Sequence, residues 1–100
     1  LGIERASDQW IRRNKIEGVP IVRTYRGFPA DAAGMIGAQR VGRNDIVLGD
    51  IITHVDGQEV RSNEDFLSAM EKHRVGDEVT IETSRAGKPL RFDVELTESQ

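Results

Sequence analysis

The sequence predicts a small, mostly β, α+β domain: a curved sheet of five to six short strands, or a partly open barrel, capped by one main helix and one short helix. Three observations predict this class. Apolar residues alternate with a period of two near the C-terminus, one amphipathic helix precedes them, and short β-branched runs occur between glycine-containing turns. The length of 100 residues fits one domain. We place it at residues 1–97, with residues 98–100 as a disordered tail.

The N-terminal quarter contains two predicted strands and a short helix. The segment Leu1–Ile3 reads as a strand, and we expect the chain to be a domain excised from a longer protein. Ser7 is a candidate N-cap for a short helix that ends near Arg13. Residues 18–25 begin with a glycine and continue with β-branched residues, which predicts the next strand. Pro20 must lie at an edge or among the first residues of that strand, because it donates no ladder hydrogen bond.

The middle of the chain contains a helical turn, a long connection and a strand. Proline at the start and glycine at the end predict a single helical turn over residues 29–34. Residues 35–48 show no clear period and are interpreted as a loop. We expect residues 36–47 to be mobile or to contact partner domains, since they offer few core contacts. Residues 50–55 form the clearest strand, and the Asp-Gly pair at 56–57 predicts a turn after it.

The strongest helix in the sequence begins after Ser62, a natural N-cap with Asp65 three residues later. We expect it to continue to Gly76, with basic residues in its last turn matching the helix dipole. Four residues follow the i, i+3, i+4, i+7 spacing of one helical face: Phe66, Ala69, Met70 and His73. This stripe predicts the face that packs on the sheet.

Alternating residues predict a hairpin at the C-terminal end. Val79, Ile81 and Thr83 alternate with polar residues, and so do the apolar residues between 90 and 96. A period of two on both arms indicates a sheet with one buried face. The segment 85–88 supplies the turn between the arms.

Composition excludes several classes of function. The net charge of −3 provides no general basic surface for nucleic acid. The absence of cysteine excludes disulfides and thiolate metal sites, and two histidines make a metal site a poor hypothesis. We therefore predict no metal and no cofactor. No apolar run is long enough to span a bilayer.

The sequence also gives no reason to expect catalysis within this chain. A hydrolytic triad needs a nucleophile, a base and an orienting acid. Neither His54 nor His73 has a serine nearby in a recognisable nucleophile context, and G-x-S-x-G is missing. Ser62 is explained as a helix cap.

Three segments, taken in order, resemble the motifs of PDZ domains. Residues 27–34 (GFPADAAG) are similar to G-x-P-A-x-x-A-G, and residues 48–57 (LGDIITHVDG) are similar to G-D-x-I-x-x-V-N/D-G. Residues 75–81 (VGDEVTI) resemble the G-D-x-V-x-L segment that follows the groove helix. Each motif alone is ordinary, but the three in this order cover most of the chain and are highly specific.

The order of the elements narrows the resemblance to bacterial and organellar PDZ domains, above all those of HtrA/Deg-type serine proteases. Their circularly permuted form begins at the carboxylate-binding loop, here Leu1–Ile3, and ends with the strand that other PDZ domains place first, here residues 89–96. The resemblance implies a non-catalytic module of a serine endopeptidase. It implies a location outside the cytoplasm, in a periplasm, a cell envelope or an organelle lumen.

The same resemblance implies the partners. They are C-termini and unfolded segments of substrates or neighbouring subunits, together with the protease domain of the parent chain. Two alternatives stay open. The module belongs to another protease class, an intramembrane metalloprotease or a C-terminal processing protease, or it is an assembly domain whose groove is unused.

The resemblance also implies a peptide site between a strand edge and the main helix. The peptide-binding residues would be Leu1, Gly2, Ile3, Glu4, Arg5, Phe66, Ala69, Met70 and His73. For Phe66 and Met70 a core position is the main alternative, and Ala69 and His73 are better candidates for the groove rim. His73 is either a hydrogen-bond partner for a peptide hydroxyl or a solvated residue at the helix end.

Overall fold

The computed structural model describes residues 1–97, so the predicted tail at 98–100 lies outside the described residues. The strands are β1 (Ile3–Arg5), β2 (Val19–Thr24), β3 (Gln39–Val41), β4 (Asp45–Val47), β5 (Asp50–Val55), β6 (Gln58–Glu59), β7 (Glu78–Arg85) and β8 (Lys88–Glu95). The helices are α1 (Asp8–Arg13), α2 (Pro29–Ala33) and α3 (Asn63–Met70).

The main sheet has six antiparallel strands in the order β1-β2-β5-β7-β8, with β6 also paired to β5. It is open, and β1 and β8 are its edges. The predicted fold class is confirmed. The expected number of helices, one main and one short, was too small by one. Both short segments that the sequence marks as helical form helices, α1 and α2, in addition to α3.

The core fills one face of this sheet, as the alternation predicts. Val79, Ile81 and Thr83 are buried along β7, while their neighbours point outward. Ile21 of β2 and Ile52 of β5 are fully buried on the same side. This continuous apolar layer fixes the register of the strands, since a shift by one residue would expose all of it.

Two tight turns follow the predicted chemistry. Val55 pairs with Gln58 across Asp56-Gly57, and Arg85 pairs with Lys88 across Ala86-Gly87. Both central residues of each turn have positive φ, between 50° and 81°. Such two-residue turns match the right-handed twist of the strands they join.

Helix α3 begins as predicted but ends early. The Ser62 hydroxyl accepts a hydrogen bond from the N–H of Asp65 at 3.1 Å. The helix stops at Met70, because the N–H of His73 turns to the carbonyl of Met70 and that of Arg74 turns to the carboxylate of Asp77. The prediction that the helix reaches Gly76 with basic residues in its last turn was therefore wrong. His73 lies in the connection that follows the helix.

The segment interpreted as a loop contains the hairpin β3–β4, so that interpretation was wrong for residues 39–47. The base of the hairpin is tied to the sheet, since the N–H of Ala38 donates to the carbonyl of Ile21 at 3.0 Å. Gly49 packs closely there: a Cβ at this position would lie 2.4 Å from the carbonyl oxygen of Ile36. All six strand residues of the hairpin are exposed.

A buried carboxylate ties this hairpin base to the sheet. Asp50 has no exposed surface, and its Oδ1 accepts hydrogen bonds from the Thr83 hydroxyl and from Nε of Arg85, both at 3.0 Å. Its Oδ2 accepts from Nη2 of Arg85 at 2.8 Å and from the N–H of Ile36 at 2.7 Å. This bonding to Asp50 raises the pKa of Arg85. The pair is bidentate, the strong geometry for a guanidinium and a carboxylate.

Candidate functional site

A groove with a volume of about 430 Å³ runs between the edge strand β1 and helix α3. The start of α3 lies beside the end of β1, where the Asn63 side chain donates to the carbonyl of Ala6 at 2.8 Å. The groove is lined by Leu1, Gly2, Ile3, Arg5, Phe66, Leu67, Met70, His73, Arg74, Val75, Leu96 and Thr97. Both the sheet edge and the helix therefore contribute walls.

The backbone of β1 presents hydrogen-bonding groups to this groove. The N–H of Tyr25 donates to the carbonyl of Gly2, and the N–H of Ala6 donates to the carbonyl of Pro20, each at 3.0 Å. In an antiparallel ladder these bonds flank the pairs Ile3–Thr24 and Arg5–Ile21, which exchange no hydrogen bonds with each other. The N–H and C=O of Ile3 and Arg5 therefore point away from β2 and toward the groove.

Backbone hydrogen bonds to the rest of the fold hold the Leu1–Gly2 segment at one end of the groove. The carbonyl of Leu1 accepts from the N–H of Ala30, at the start of α2, at 3.1 Å. Gly2 has φ +80°, and a Cβ at Gly2 would lie 2.1 Å from Cβ of Phe28. Only glycine combines this backbone angle with so close an approach. Both carbonyls are engaged within the fold, so the segment can present its N–H groups outward.

The groove walls are largely apolar. Phe66 is 5% exposed and Met70 is half-buried, and both contact the groove as well as the core. Phe66 and Met70 therefore pack against the core and also line the groove. Leu67 is 50% exposed on the same helix, and Ile3 lines the groove from β1. An apolar side chain entering the groove would bury surface on both walls.

Arg5 carries positive charge into the groove. Its guanidinium lies over the Phe66 ring, with 4.8 Å from Cζ to the ring centroid. Nη1 is covered and has no hydrogen-bond partner among residues 1–97. Desolvation by burial lowers the pKa of Arg5, and the negative charge of Asp8 partly opposes that change. Asp8 itself is engaged by Asn63, whose backbone and side-chain N–H groups both donate to it and lower its pKa.

His73 lines the groove, but its side chain is largely buried and one of its ring nitrogens already contacts a carboxylate. Its Nε2 lies 2.5 Å from Oδ2 of Asp56, and its Nδ1 lies 3.9 Å from Asp77. The side chain is 15% exposed. Asp56 is fixed in turn, since its Oδ1 accepts from the N–H of Thr80 at 2.9 Å. This contact between His73 and Asp56 holds the connection after α3 against the β5–β6 turn.

Seven of the nine sequence-predicted site residues line the groove. The exceptions are Glu4 and Ala69. Glu4 lies on the other face of β1, where it pairs with Arg23 at 2.7 Å, because side chains alternate along a strand. Ala69 is buried in the core.

Sequence reasoning missed five further lining residues: Leu67, Arg74, Val75, Leu96 and Thr97. An exposed leucine one position after Phe66 was the one local signal for Leu67. Arg74 and Val75 line the groove because α3 ends early, and Leu96 and Thr97 follow β8. The alternation that includes Leu96 indicates a strand and does not indicate a groove wall.

Within residues 1–97 no group of three His, Cys, Asp or Glu side chains is placed to hold a metal ion. None of the helices in that range is long and apolar enough to cross a membrane. The described residues form an open groove between β1 and α3.

Comparison with known sequences decides the family. Residues 3–96 match the family described as PDZ domain. The chain is a PDZ domain. It corresponds to the non-catalytic PDZ region of larger Do-like and HtrA-type proteases, which confirms the predicted resemblance to that type.

This PDZ domain is similar to parts of three Do-like proteases. It is 36% identical over 96 residues to Protease Do-like 1, chloroplastic, and 33% identical over 99 residues to Protease Do-like 8, chloroplastic, both of Arabidopsis thaliana. It spans 96% and 98% of its own length in these matches but 22% of each relative. The Serine protease Do-like HtrA of Lactobacillus helveticus is 40% identical over 86% of the chain, which spans 18% of that protein.

Solved structures show the same fold. The HtrA-type protease AlgW, solved with a decapeptide, superposes on 100% of the PDZ domain and 28% of its own chain, with a TM-score of 0.70 at 17% identity. An aminopeptidase N family protein from Idiomarina loihiensis covers 99% of the domain and 14% of its own chain, with a TM-score of 0.74 at 18% identity. At these identities the likeness concerns the fold alone.

Proposed function

We propose that this PDZ domain is the peptide-binding module of an HtrA/Deg-like serine endopeptidase. It captures C-termini or extended segments of substrates or neighbouring subunits by strand addition and thereby regulates proteolysis. The observation that carries this proposal is the outward-facing backbone of Ile3 and Arg5 along a groove with apolar walls. An exposed strand edge of this kind is the acceptor that an incoming extended peptide requires.

The groove end at Leu1 and Gly2 supports capture of a terminal carboxylate. Both carbonyls point into the fold, where they accept from Ala30 and Tyr25, so the electronegative oxygens are withdrawn from an incoming anion. The N–H groups of Gly2 and Ile3 are left to donate to it. Successive backbone N–H groups form anion-binding concavities of this type, and each hydrogen bond to a charged group contributes about 1.5–3 kcal/mol. The last side chain of the peptide would lie between Ile3 and Met70.

The parent protein and its location are part of the proposal. The similarity to chloroplastic and bacterial Do-like proteases supports a trypsin-like protease domain elsewhere in the parent chain and a site of action in an organelle or outside the cytoplasm. The same similarity disfavours an intramembrane metalloprotease or a C-terminal processing protease as the parent.

A second role, in assembly, is favoured by a separate surface. The hairpin β3–β4 exposes Val41, Ile46 and Val47, each at least half accessible. A cluster of exposed apolar residues on a protruding element is typical of a protein contact. Contact of this hairpin with the protease domain or a neighbouring subunit would be compatible with peptide capture in the groove.

The test of peptide capture compares a peptide with a free apolar C-terminus and its C-terminal amide. We expect the amide to bind about tenfold more weakly, as one charge-assisted hydrogen bond is lost. The substitution Leu67→Lys should abolish binding of both. Val41→Lys is the matched control, since Leu67 and Val41 are both 50% exposed and Val41 lies outside the groove. Equal binding of acid and amide would reject carboxylate capture, and loss of binding in both variants would reject the groove.

A further inference from the structure

The charge of the groove differs in sign from that of the whole chain. The domain has a net charge of −3, yet no Asp or Glu side chain is among the described residues that line the groove. Arg5, Arg74 and His73 line it instead, and His73 is already paired with Asp56. An incoming peptide therefore meets a locally basic and otherwise apolar surface.

Arg5 differs from the exposed Arg74 in that it has a covered donor without a partner among the described residues. Its guanidinium forms no ion pair within 4.0 Å among residues 1–97, and its covered Nη1 has no hydrogen-bond partner there. The nearby carboxylate of Asp8 is occupied by two hydrogen bonds from Asn63. A desolvated donor without a partner is costly. Arg5 as a whole is only partly buried and lines the groove, so a carboxylate placed there would meet a partly desolvated cation and offset part of that cost. The residue keeps its place by packing on the Phe66 ring.

The ladder geometry says which peptide residue meets Arg5. A peptide that adds antiparallel to β1 exchanges hydrogen bonds with Ile3 and with Arg5. Because the strands are antiparallel, the peptide residue that pairs with Arg5 comes two positions before the one that pairs with Ile3. If the terminal carboxylate lies at the Gly2 and Ile3 amides, the last residue pairs with Ile3. The third residue from the end then pairs with Arg5. Side chains of directly paired residues lie on the same face of a sheet, so its side chain lies beside the Arg5 guanidinium.

We propose that the groove selects peptides with Asp or Glu at the third position from the C-terminus, through an ion pair with Arg5. This inference rests on the proposed peptide capture and adds a specificity-determining residue to it. The acidic side chain would pair with the part of the Arg5 guanidinium that lines the groove, while the apolar last residue occupies the far end of the groove. The preference depends on charge and therefore weakens as salt is added.

The test uses two peptides that are identical except for Glu or Gln at the third position from a C-terminal leucine. We expect the Glu peptide to bind the wild-type domain at least about fivefold more tightly at low salt, since a hydrogen-bonded charge pair at a partly covered site exceeds an exposed one. The Arg5→Met variant keeps an apolar stem over Phe66 and should bind both peptides equally. Arg5→Lys keeps the charge and should retain part of the preference.

Arg23→Met is the matched control, because Arg23 pairs with Glu4 on the face of β1 that is turned away from the groove. It should keep the full preference for Glu. Equal binding of the two peptides to the wild-type domain would overturn the proposal while leaving peptide capture intact. A preference that survives in Arg5→Met would overturn it too, and would assign the preference to another cation. Failure of both peptides to bind would reject peptide capture itself, and the preference with it.

Discussion

Gly2 lies against the side chain of Phe28, with no room between them for a Cβ. A Cβ built on Gly2 would be 2.1 Å from Cβ and 2.6 Å from Cγ of Phe28. Phe28 precedes α2, whose first turn also receives the carbonyl of Leu1. The groove end is therefore shaped by a segment distant in sequence, and a change at Gly2 should affect both stability and peptide binding.

We expect Gly2→Ala to lower the free energy of unfolding by about 2–4 kcal/mol, because it adds left-handed strain and overpacking against Phe28. Gly27→Ala is the control: Gly27 also has positive φ, +84°, but a Cβ there meets no atom within 4 Å. The control should cost about 1–2 kcal/mol, from strain alone. Urea unfolding of both variants measures the difference, and equal losses would mean that Phe28 moves aside freely.

The buried Asp50 predicts a larger effect. Replacement by alanine removes the acceptor of the Thr83 hydroxyl and of Nε of Arg85 and leaves the N–H of Ile36 without its partner. Within residues 1–97 the Arg85 side chain then keeps only the Gly34 carbonyl. We expect Asp50→Ala to destabilise the domain by about 3–5 kcal/mol, as for the loss of one member of a buried ion pair. Asp93→Asn, at an exposed carboxylate bonded to Thr80, should change stability by less than about 1 kcal/mol. Similar thermal shifts in the two variants would contradict the role of Asp50.

Acid stability should depend on Asp8. Hydrogen bonds from Asn63 hold the pKa of Asp8 below its ordinary value of 3.8, so the folded state favours the charged form. This contribution is fully present above that value and is lost as pH falls through the lower folded-state pKa. We expect Asp8→Asn to cost about 1 kcal/mol near pH 7 and progressively less below about pH 4.

Unfolding at several pH values, with Glu17→Gln as an exposed control, measures this effect. The stability curves of the Asp8→Asn variant and the wild-type domain should converge in acid, whereas the Glu17→Gln curve should follow the wild type throughout. A constant gap between Asp8→Asn and the wild type down to pH 2 would show that the Asn63 contact does not depend on the charge of Asp8.

The hairpin β3–β4 should exchange its amide hydrogens faster than the sheet that carries it. Its six strand residues are exposed and pair only with one another, whereas β5 and β7 contain buried residues and are paired on both sides. Local opening of such an element costs little. Hydrogen exchange should therefore show Arg40 and Ile46 exchanging well before Ile52 and Ile81. Protection at Arg40 equal to that at Ile52 would contradict this expectation.

The fold was predictable where local chemistry and the core agree. The alternation in β7, the Ser62 cap and the Asp-Gly turn each act within a few residues, so the sequence alone indicates them. The end of α3 was not predictable, because Asp77 and Leu96, the residue after β8, accept hydrogen bonds from the backbone of Arg74 and Gly76. The hairpin β3–β4 was missed since its strands have no buried face and so no period.

The walls of the candidate site were predictable from the sequence, but the bonding of Arg5 within it was not. The family motifs indicate the strand edge and the helix, and Leu1–Ile3 and Phe66 line the groove accordingly. The incomplete bonding of Arg5 depends on where Asn63 engages Asp8, a contact between residues 55 positions apart. No local pattern encodes such a contact.

The most direct test of strand addition is the amide exchange of β1 with and without a peptide that has an apolar C-terminus. Glu4 pairs with Arg23 inside the sheet, whereas the N–H groups of Ile3 and Arg5 point to the groove. Our account predicts that the peptide slows exchange at Ile3 and Arg5 by at least about tenfold relative to the change at Glu4. Saturating peptide that leaves Ile3 and Arg5 unchanged, or slows all three alike, would contradict it.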